Sequence, residues 1–419
     1  MNGGLFAEKH NAPNFSYASR KAIIESGSLS WAEINPDIFG SMFQAVNHAD
    51  NRGTLGQHFT SVPNIMKVIE PLFLNDLKEE FENASGNKNK LNQLLYRLKN
   101  IKIFDPACGS GNFLIITYKE LRRLEMEIFK EMGSLALSEI SLNQFYGIEL
   151  DDFAHEVAIL SLWLAEHQMN VEFYKEFGRT NATLPLTDAG NIVQGNACRL
   201  DWEEVCPKNE GDEIYILGNP PFIGSRLMTP EQRKDVEYLF TGVDNNGTLD
   251  YVCCWYLKAA EYMSRNGACT AFVSTNSVSQ GEQVDVLWRE LISKYKVLIN
   301  FAHRTFKWSN EAKGNAAVYC VIVGFANSDS TSKRLFEYED IKGEAHEIKA
   351  KNINPYLVDA KDILIEKKSN PICNVPKMSF GNMPLDGGNL ILSDEEKKKL
   401  LSSEPLSEKY ILPLIAAFE

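Results

Sequence analysis

Residues 104–114 read FDPACGSGNFL. The run IKIFD (101–105) that leads into this stretch is short and β-rich, and the apolar spacing from Phe113 to Lys130 is helical, so the two glycines lie on a strand-to-helix turn. Gly109 and Gly111 let the backbone turn tightly and approach a ligand, and the helix behind them offers free N–H groups. A dinucleotide fingerprint needs a third glycine and an acid about 20 residues later. Here the third glycine is missing, Asp105 precedes the turn, and the next strand-end acid, Glu149, lies 44 residues on. A carboxylate in front of the turn suits a cationic ligand better than a pyrophosphate. Glu149 is placed to accept hydrogen bonds from two ribose hydroxyls.

Working outward, short β-rich runs alternate with longer helical ones. The strands expected after 101–105 are 144–149, 191–196, 213–218, 268–275, 296–302 and 316–325. Helical runs follow at Phe113–Lys130, Phe153–His167, Tyr251–Met263 and Val284–Ser293. This alternation predicts an α/β fold with a doubly wound, mostly parallel sheet of seven strands. A loop alone, Arg304 to Asn315, joins the last two strands, so the last one is expected to run antiparallel. Three segments follow: a mostly helical part at 1–100, the α/β domain at 101–327 and a polar C-terminal extension at 328–419.

The 419 residues carry 43 basic and 56 acidic side chains, a formal charge of −13, which taken alone argues against a polyanionic partner. Residues 149–213 hold 4 basic and 14 acidic residues, so most of the deficit sits in one block. No apolar run approaches the ~18 residues of a spanning helix, and no membrane partner is expected. Eight cysteines form no CxxC pair and no Cys/His cluster, which predicts reduced thiols in a cytoplasm and no metal site.

The fourth strand ends in GNPPF (218–222). Two prolines stiffen the turn and remove donors, so the Asn219 side-chain oxygen and the Pro220 carbonyl point one way. Two acceptors facing one NH₂ group suit a planar exocyclic amine, whose lone pair they draw out of conjugation. Phe222 can stack on the ring that carries the amine. The connection after NPPF is long and contains Arg226, Arg233 and Lys234. The 303–315 loop combines Arg304, Lys307 and Lys313 with Phe306 and Trp308, a pattern that suits phosphates and stacked bases, or else a solvated hairpin with aromatics tucked inward. Asn196, ending the third strand, either bonds an adenine amino group or forms a turn.

DPACGSGNF resembles the S-adenosylmethionine site of class I methyltransferases, and NPPF resembles the D/N-PP-Y/F motif of N6-adenine DNA methyltransferases. The order of the two motifs, together with NGGLF (2–6), FAHRTFKW (301–308) and MPLDGGNLILSDEE (383–396), resembles the γ-class methyltransferase core of MmeI-like single-chain restriction–modification enzymes. That resemblance implies S-adenosylmethionine as cofactor, held by Phe59, Thr60, Asp105, Pro106, Ala107, Gly109, Gly111, Phe113, Glu149, Leu150, Asn196, Ala197 and Asn219. It makes 1–100 a cofactor-covering segment and 101–327 the catalytic domain. It implies catalysis by Asn219, Pro220, Pro221 and Phe222 on the N6 of an adenine flipped out of DNA, in restriction–modification or phage defence. Phe306, or alternatively Trp308, would face the flipped base, with Arg226, Arg304 and Lys307 on the DNA. RNA or a glutamine side chain as acceptor, and a non-catalytic cofactor-binding subunit, are the alternatives. Relatives carry a nuclease before this core and a target-recognition domain after it. The chain here is expected to lack both, and either to have lost target recognition or to receive it from a separate chain.

Overall fold

IKIFD forms the central strand β1 (Ile101–Asp105), all five residues of which are buried. In the computed structural model, which describes residues 14–28, 60–133, 137–181, 190–308, 318–341, 343–368 and parts of 370–413, β1 lies between two parallel neighbours. These are β2 (Phe145–Glu149) and β4 (Glu213–Gly218). Beyond them lie β3 (Asn191–Gln194) on one side and β5 (Cys269–Thr275) on the other, both parallel. β6 (Leu298–Trp308) and β7 (Val318–Ala326) complete the seven expected strands. β7 is inserted between β5 and β6 and runs antiparallel to both.

Two further strands, not anticipated from the sequence, extend the sheet. β8 (Lys333–Glu337) pairs parallel with β6, and β9 (His346–Ala350) pairs antiparallel with β8. The order is β3-β2-β1-β4-β5-β7-β6-β8-β9, so the sheet has nine strands rather than seven and continues past residue 327. The chain divides into two compact units, Met1–Glu366 and Lys367–Glu419.

Near-continuous apolar strands are the mark of a sheet covered on both faces. Phe104, Ile148, Ile216 and Phe272 point into one core layer, and Ile103, Phe145, Leu217 and Val273 into the other. The N-terminal helices supply part of the second layer. α1 (Tyr17–Gly27) buries nothing. α2 (Val62–Ile69), α3 (Asn75–Ala84) and α4 (Lys88–Asn100) bury Ile65, Val68, Ile69, Leu77, Leu91, Leu94 and Leu98 at helical spacing. α5 (Asn112–Met132) follows β1 and α6 (Asp152–Phe177) follows β2. The short α7 (Trp202–Val205) precedes β4. α9 (Cys253–Asn266) and α10 (Gln283–Tyr295) contribute to the first layer. Among the described residues no helix is long and apolar enough to cross a membrane.

Two expectations about loops are corrected. The connection after NPPF holds a helix, α8 (Pro230–Leu239), which Thr229 and Gln232 start with a reciprocal capping box. The TPEQ spelling at 229–232 was a legible start signal. Likewise, Arg304–Trp308 belong to β6 and not to a loop. A bulge between His303 and Phe306 shifts the period-2 alternation there and hides the strand from pattern reading.

Gly324 of β7 shows how closely the two strands pack. A Cβ at this position would lie 2.0–2.5 Å from the ring of Phe301 on β6. The ring therefore occupies the space that the glycine leaves. Gly324→Ala is expected to destabilise the protein by about 1–3 kcal/mol in denaturant titration, the usual cost of overpacking. An unchanged midpoint would show that the ring moves aside freely.

α11 (Asp394–Ser403), in the second unit, is also started by a capping box, between Ser393 and Glu396.

Candidate active site

Asp105, the last residue of β1, is 1% exposed. Its Oδ1 accepts the backbone N–H of Ala107 at 3.0 Å. Burial pushes its pKa up to about 8; the Ala107 bond opposes that rise and the Glu149 charge adds to it. The turn that follows has Gly109 at φ +55° and Gly111 at φ +85°, the left-handed region that glycine enters without strain. Gly111 also packs 3.4 Å from Ala158 of α6, measured from where a Cβ would stand. Glu149 closes β2 and ties the two strand ends together. Its Oε2 accepts Gly109 N–H at 2.8 Å and its Oε1 accepts Asp151 N–H at 2.9 Å. The Leu150 backbone N–H also bonds to this carboxylate, which has about four lone-pair positions, so it is largely engaged by backbone and keeps about one for a ligand. Burial raises the Glu149 pKa as well.

β4 ends against Asp105. A Cβ on Gly218 would lie 2.5 Å from Asp105 Oδ1, so only glycine allows this approach. The next residue, Asn219, donates from Nδ2 to Thr60 Oγ1 at 3.1 Å. Its Oδ1 is buried and has no hydrogen-bond partner. Buried polar atoms are nearly always paired, and one left unpaired calls for a reason. Pro220 is buried, Pro221 is partly buried, and Phe222 packs against the second core layer while keeping part of its surface open.

The remaining expected residues fall in different places. Asn196 Oδ1 accepts Cys198 N–H at 2.9 Å and Nδ2 donates to Asp235 Oδ2 at 2.9 Å, so this side chain forms a turn and a helix contact. Ala197 is buried and its carbonyl accepts the Trp202 indole. Phe113 is buried in the second layer, Pro106 is buried and Ala107 partly so, whereas Leu150 is exposed beside Glu149. Arg226 is exposed, Lys307 is partly buried, and Arg304 pairs with Glu337 Oε1 at 2.6 Å. Phe306 is 1% exposed; its ring stacks on Tyr338 at 5.2 Å and lies under Lys67 Nζ at 4.5 Å. The ring presents no open face in this arrangement. Trp308 ends β6, and its side chain, like Phe59 and Lys313, lies outside the described residues.

Sequence reading missed the residues that hold this apparatus in place. Trp255 of α9 donates its indole N–H to Pro106 O at 3.0 Å, bracing the DPAC turn. A tryptophan on an apolar helix gives no hint of that task. Asp235 of α8 accepts from Asn196, from Arg199 Nε at 2.6 Å and from the Tyr251 hydroxyl at 2.8 Å. The loop after NPPF is anchored at both ends of its first turn. Tyr251 N–H donates to Ile223 O at 2.9 Å, and Ser225 N–H donates to Asp250 Oδ1 at 3.2 Å.

A sheet ordered 3-2-1-4-5-7-6 with β7 reversed, a glycine turn after β1, an acid closing β2 and Asn-Pro-Pro-Phe after β4 define a class I S-adenosylmethionine-dependent methyltransferase. Residues 81–337 match the family model of the MmeI DNA-methyltransferase domain, and the chain belongs to that family. Residues 359–419 match the MmeI target recognition domain. The second match overturns the expectation that this chain has no recognition domain. The polar run DEEKKK (394–399) resembles a solvated tail in composition, yet it forms the capped helix α11.

The chain is 50% identical to DNA methyltransferase A of Bacillus subtilis (strain 168), covering all of this chain and 48% of that protein. It is similar to the type IIL restriction–modification enzyme MmeI solved in complex with DNA, with 46% identity and a TM-score of 0.89 over 98% of this chain and 56% of that one. The chain thus spans about half the length of either relative.

Proposed function

We propose that this chain carries out S-adenosylmethionine-dependent methyl transfer to the exocyclic N6 of an adenine flipped out of duplex DNA, within a restriction–modification system. The observation that carries the reading is Asn219 Oδ1, a buried acceptor without a partner, whose amide orientation Thr60 holds from the other side. Family membership and the likeness to a DNA-bound enzyme support DNA as the acceptor, and the match over 359–419 supports recognition from within the same chain.

The residues present fit the cofactor. Two left-handed glycines open the turn, Asp105 offers a buried carboxyl that a cationic ligand would ionise, and Glu149 stands at the neighbouring strand end beside exposed Leu150. S-adenosylmethionine, when bound, supplies an electrophilic methyl group. Asp105, Gly109, Gly111 and Glu149 would hold it, with Thr60 and Leu150 at its edges.

Asn219 Oδ1 accepts one N–H of the amine, and the Pro220 carbonyl accepts the other. Both acceptors localise the lone pair on nitrogen and orient it. Because Gly218 packs directly against Asp105 and Asn219 follows it, the amine and the cofactor cradle are held at the ends of adjacent strands. Proximity of this kind supplies much of the rate in a two-substrate reaction. No strongly basic side chain is needed, since alkylation acidifies the amine, which then yields its proton to solvent.

The test is digestion of DNA incubated with the protein and S-adenosylmethionine, followed by mass spectrometry of nucleosides. N6-methyladenine is the expected product. Label found in 5-methylcytosine, or in RNA or protein alone, would overturn the reading.

A further inference from the structure

We propose that Leu227 is the wedge that enters the base stack when the target adenine leaves it, with Arg226 and Arg233 on the flanking phosphates. The inference rests on the DNA-methylation reading above.

Leu227 is 81% exposed. Single exposed leucines are ordinary on protein surfaces, so the setting decides. The turn closes on itself through Leu227 N–H to Gly224 O at 2.8 Å. On either side, Ile223 and Met228 are buried in the same core layer. Asp250 fixes the turn from below: its Oδ1 accepts Ser225 N–H, and its Oδ2 accepts Ser277 Oγ at 2.5 Å. A large apolar side chain is therefore held outward on a short, braced turn that begins two residues after the NPPF motif. Folding alone does not call for that arrangement.

The surroundings are polar and cationic. Arg226 and Arg233 line an open cavity of about 550 Å³ together with Thr248, Gln280 and Gln283. Glu282 also lines it. Neither arginine forms an ion pair among the described residues. An exposed apolar tip beside exposed guanidinium groups matches a nucleic acid, which offers a stack to fill and phosphates on both sides. Apolar side chains inserted between base steps compensate the loss of stacking, which costs a few kcal/mol per step.

The experiment uses the full chain on duplexes carrying the site mapped from wild-type methylation, either matched or with a mismatch opposite the target adenine. A mismatch lowers the cost of extrusion without touching the cofactor site. Leu227→Ala is expected to slow methylation of the matched duplex about 10-fold or more. On the mismatched duplex its rate should return to within about 3-fold of wild type, and Leu227→Met should restore most activity on matched DNA. Arg226→Ala should weaken binding to both duplexes alike and reduce the salt slope by about one. Calorimetry with S-adenosylmethionine confirms that each variant folds and keeps its cofactor site.

Equal rates for Leu227→Ala and wild type on matched DNA would overturn the inference while leaving the methylation reading intact. A loss that the mismatch does not rescue would overturn it too, since that loss follows from a structural or protein-contact role. Absence of methylation by the wild-type chain on any DNA would overturn both.

Discussion

Replacing Asn219 by alanine is expected to lower methyl transfer by about 10²–10³-fold, the scale on which a single preorganised polar contact to reacting atoms is felt. The same change should alter folding stability by less than about 1 kcal/mol in either direction. The reason is that alanine removes two things at once. It loses the Nδ2–Thr60 hydrogen bond, worth about 1 kcal/mol, and it removes an unpaired buried oxygen whose desolvation costs about as much. A site that leaves a polar atom unpaired trades stability for function. Asn219→Asp keeps an acceptor, because Thr60 can donate to a carboxylate, and should be more active than Asn219→Ala. Initial rates of labelled methyl transfer, set beside urea titrations, measure both quantities. If the alanine variant turned over at the wild-type rate, Asn219 Oδ1 would have no part in the chemistry.

The second large effect concerns Asp105 and pH. Its pKa is about 8 in the folded chain against 3.8 ordinarily, because burial disfavours the charged form. The folded state therefore binds more protons than the unfolded state between those values. Stability from this group is full below pH ~4, falls by up to about 1.4 kcal/mol per pH unit as pH rises, and levels off above pH ~8. Asp105→Asn is expected to flatten that slope and to stabilise the protein near pH 8, without flattening it wholly, since the Glu149 pKa is raised too. A cationic ligand reverses the preference by favouring ionised Asp105. S-adenosylmethionine binding at pH 7 should accordingly release protons, and calorimetry in buffers of different ionisation enthalpy detects this. Equal pH slopes for wild type and Asp105→Asn would refute the assignment of the proton to Asp105.

Much of the fold was legible. All seven strands of the expected core appear; the apolar runs of the inner ones, such as β1 and β2, report burial on both faces of a sheet, whereas β3, at the edge, buries one residue of four. β8 and β9 escaped notice since KRLFE and HEIKA carry at least as many charged as apolar residues, and β9, the edge strand, needs little hydrophobicity. The helix at Pro230–Leu239 was also missed, although Thr229 and Gln232 spell its start. Of the basic and aromatic residues singled out in 303–315, the described ones depart from a solvated surface in part: Arg304 pairs with Glu337 and Phe306 is buried, while the Trp308 side chain and Lys313 lie outside the described residues.

What the sequence determined by itself is the ordering of the chemistry: an acid, a glycine turn, a second acid, then Asn-Pro-Pro-Phe, each at the end of a strand. Those features are local, since glycine and proline act on their own backbone angles and a strand end is read from its own residues. What only the tertiary structure decided is which polar atoms are spare. Asn196 and Asn219 both follow strands, yet the first has both ends of its amide engaged by Cys198 and Asp235, whereas the second keeps its oxygen free. That difference depends on Asp235, 39 residues from Asn196, and on Thr60, 159 residues from Asn219. Hydrogen bonds across such separations exist only once the sheet has brought its strand ends together.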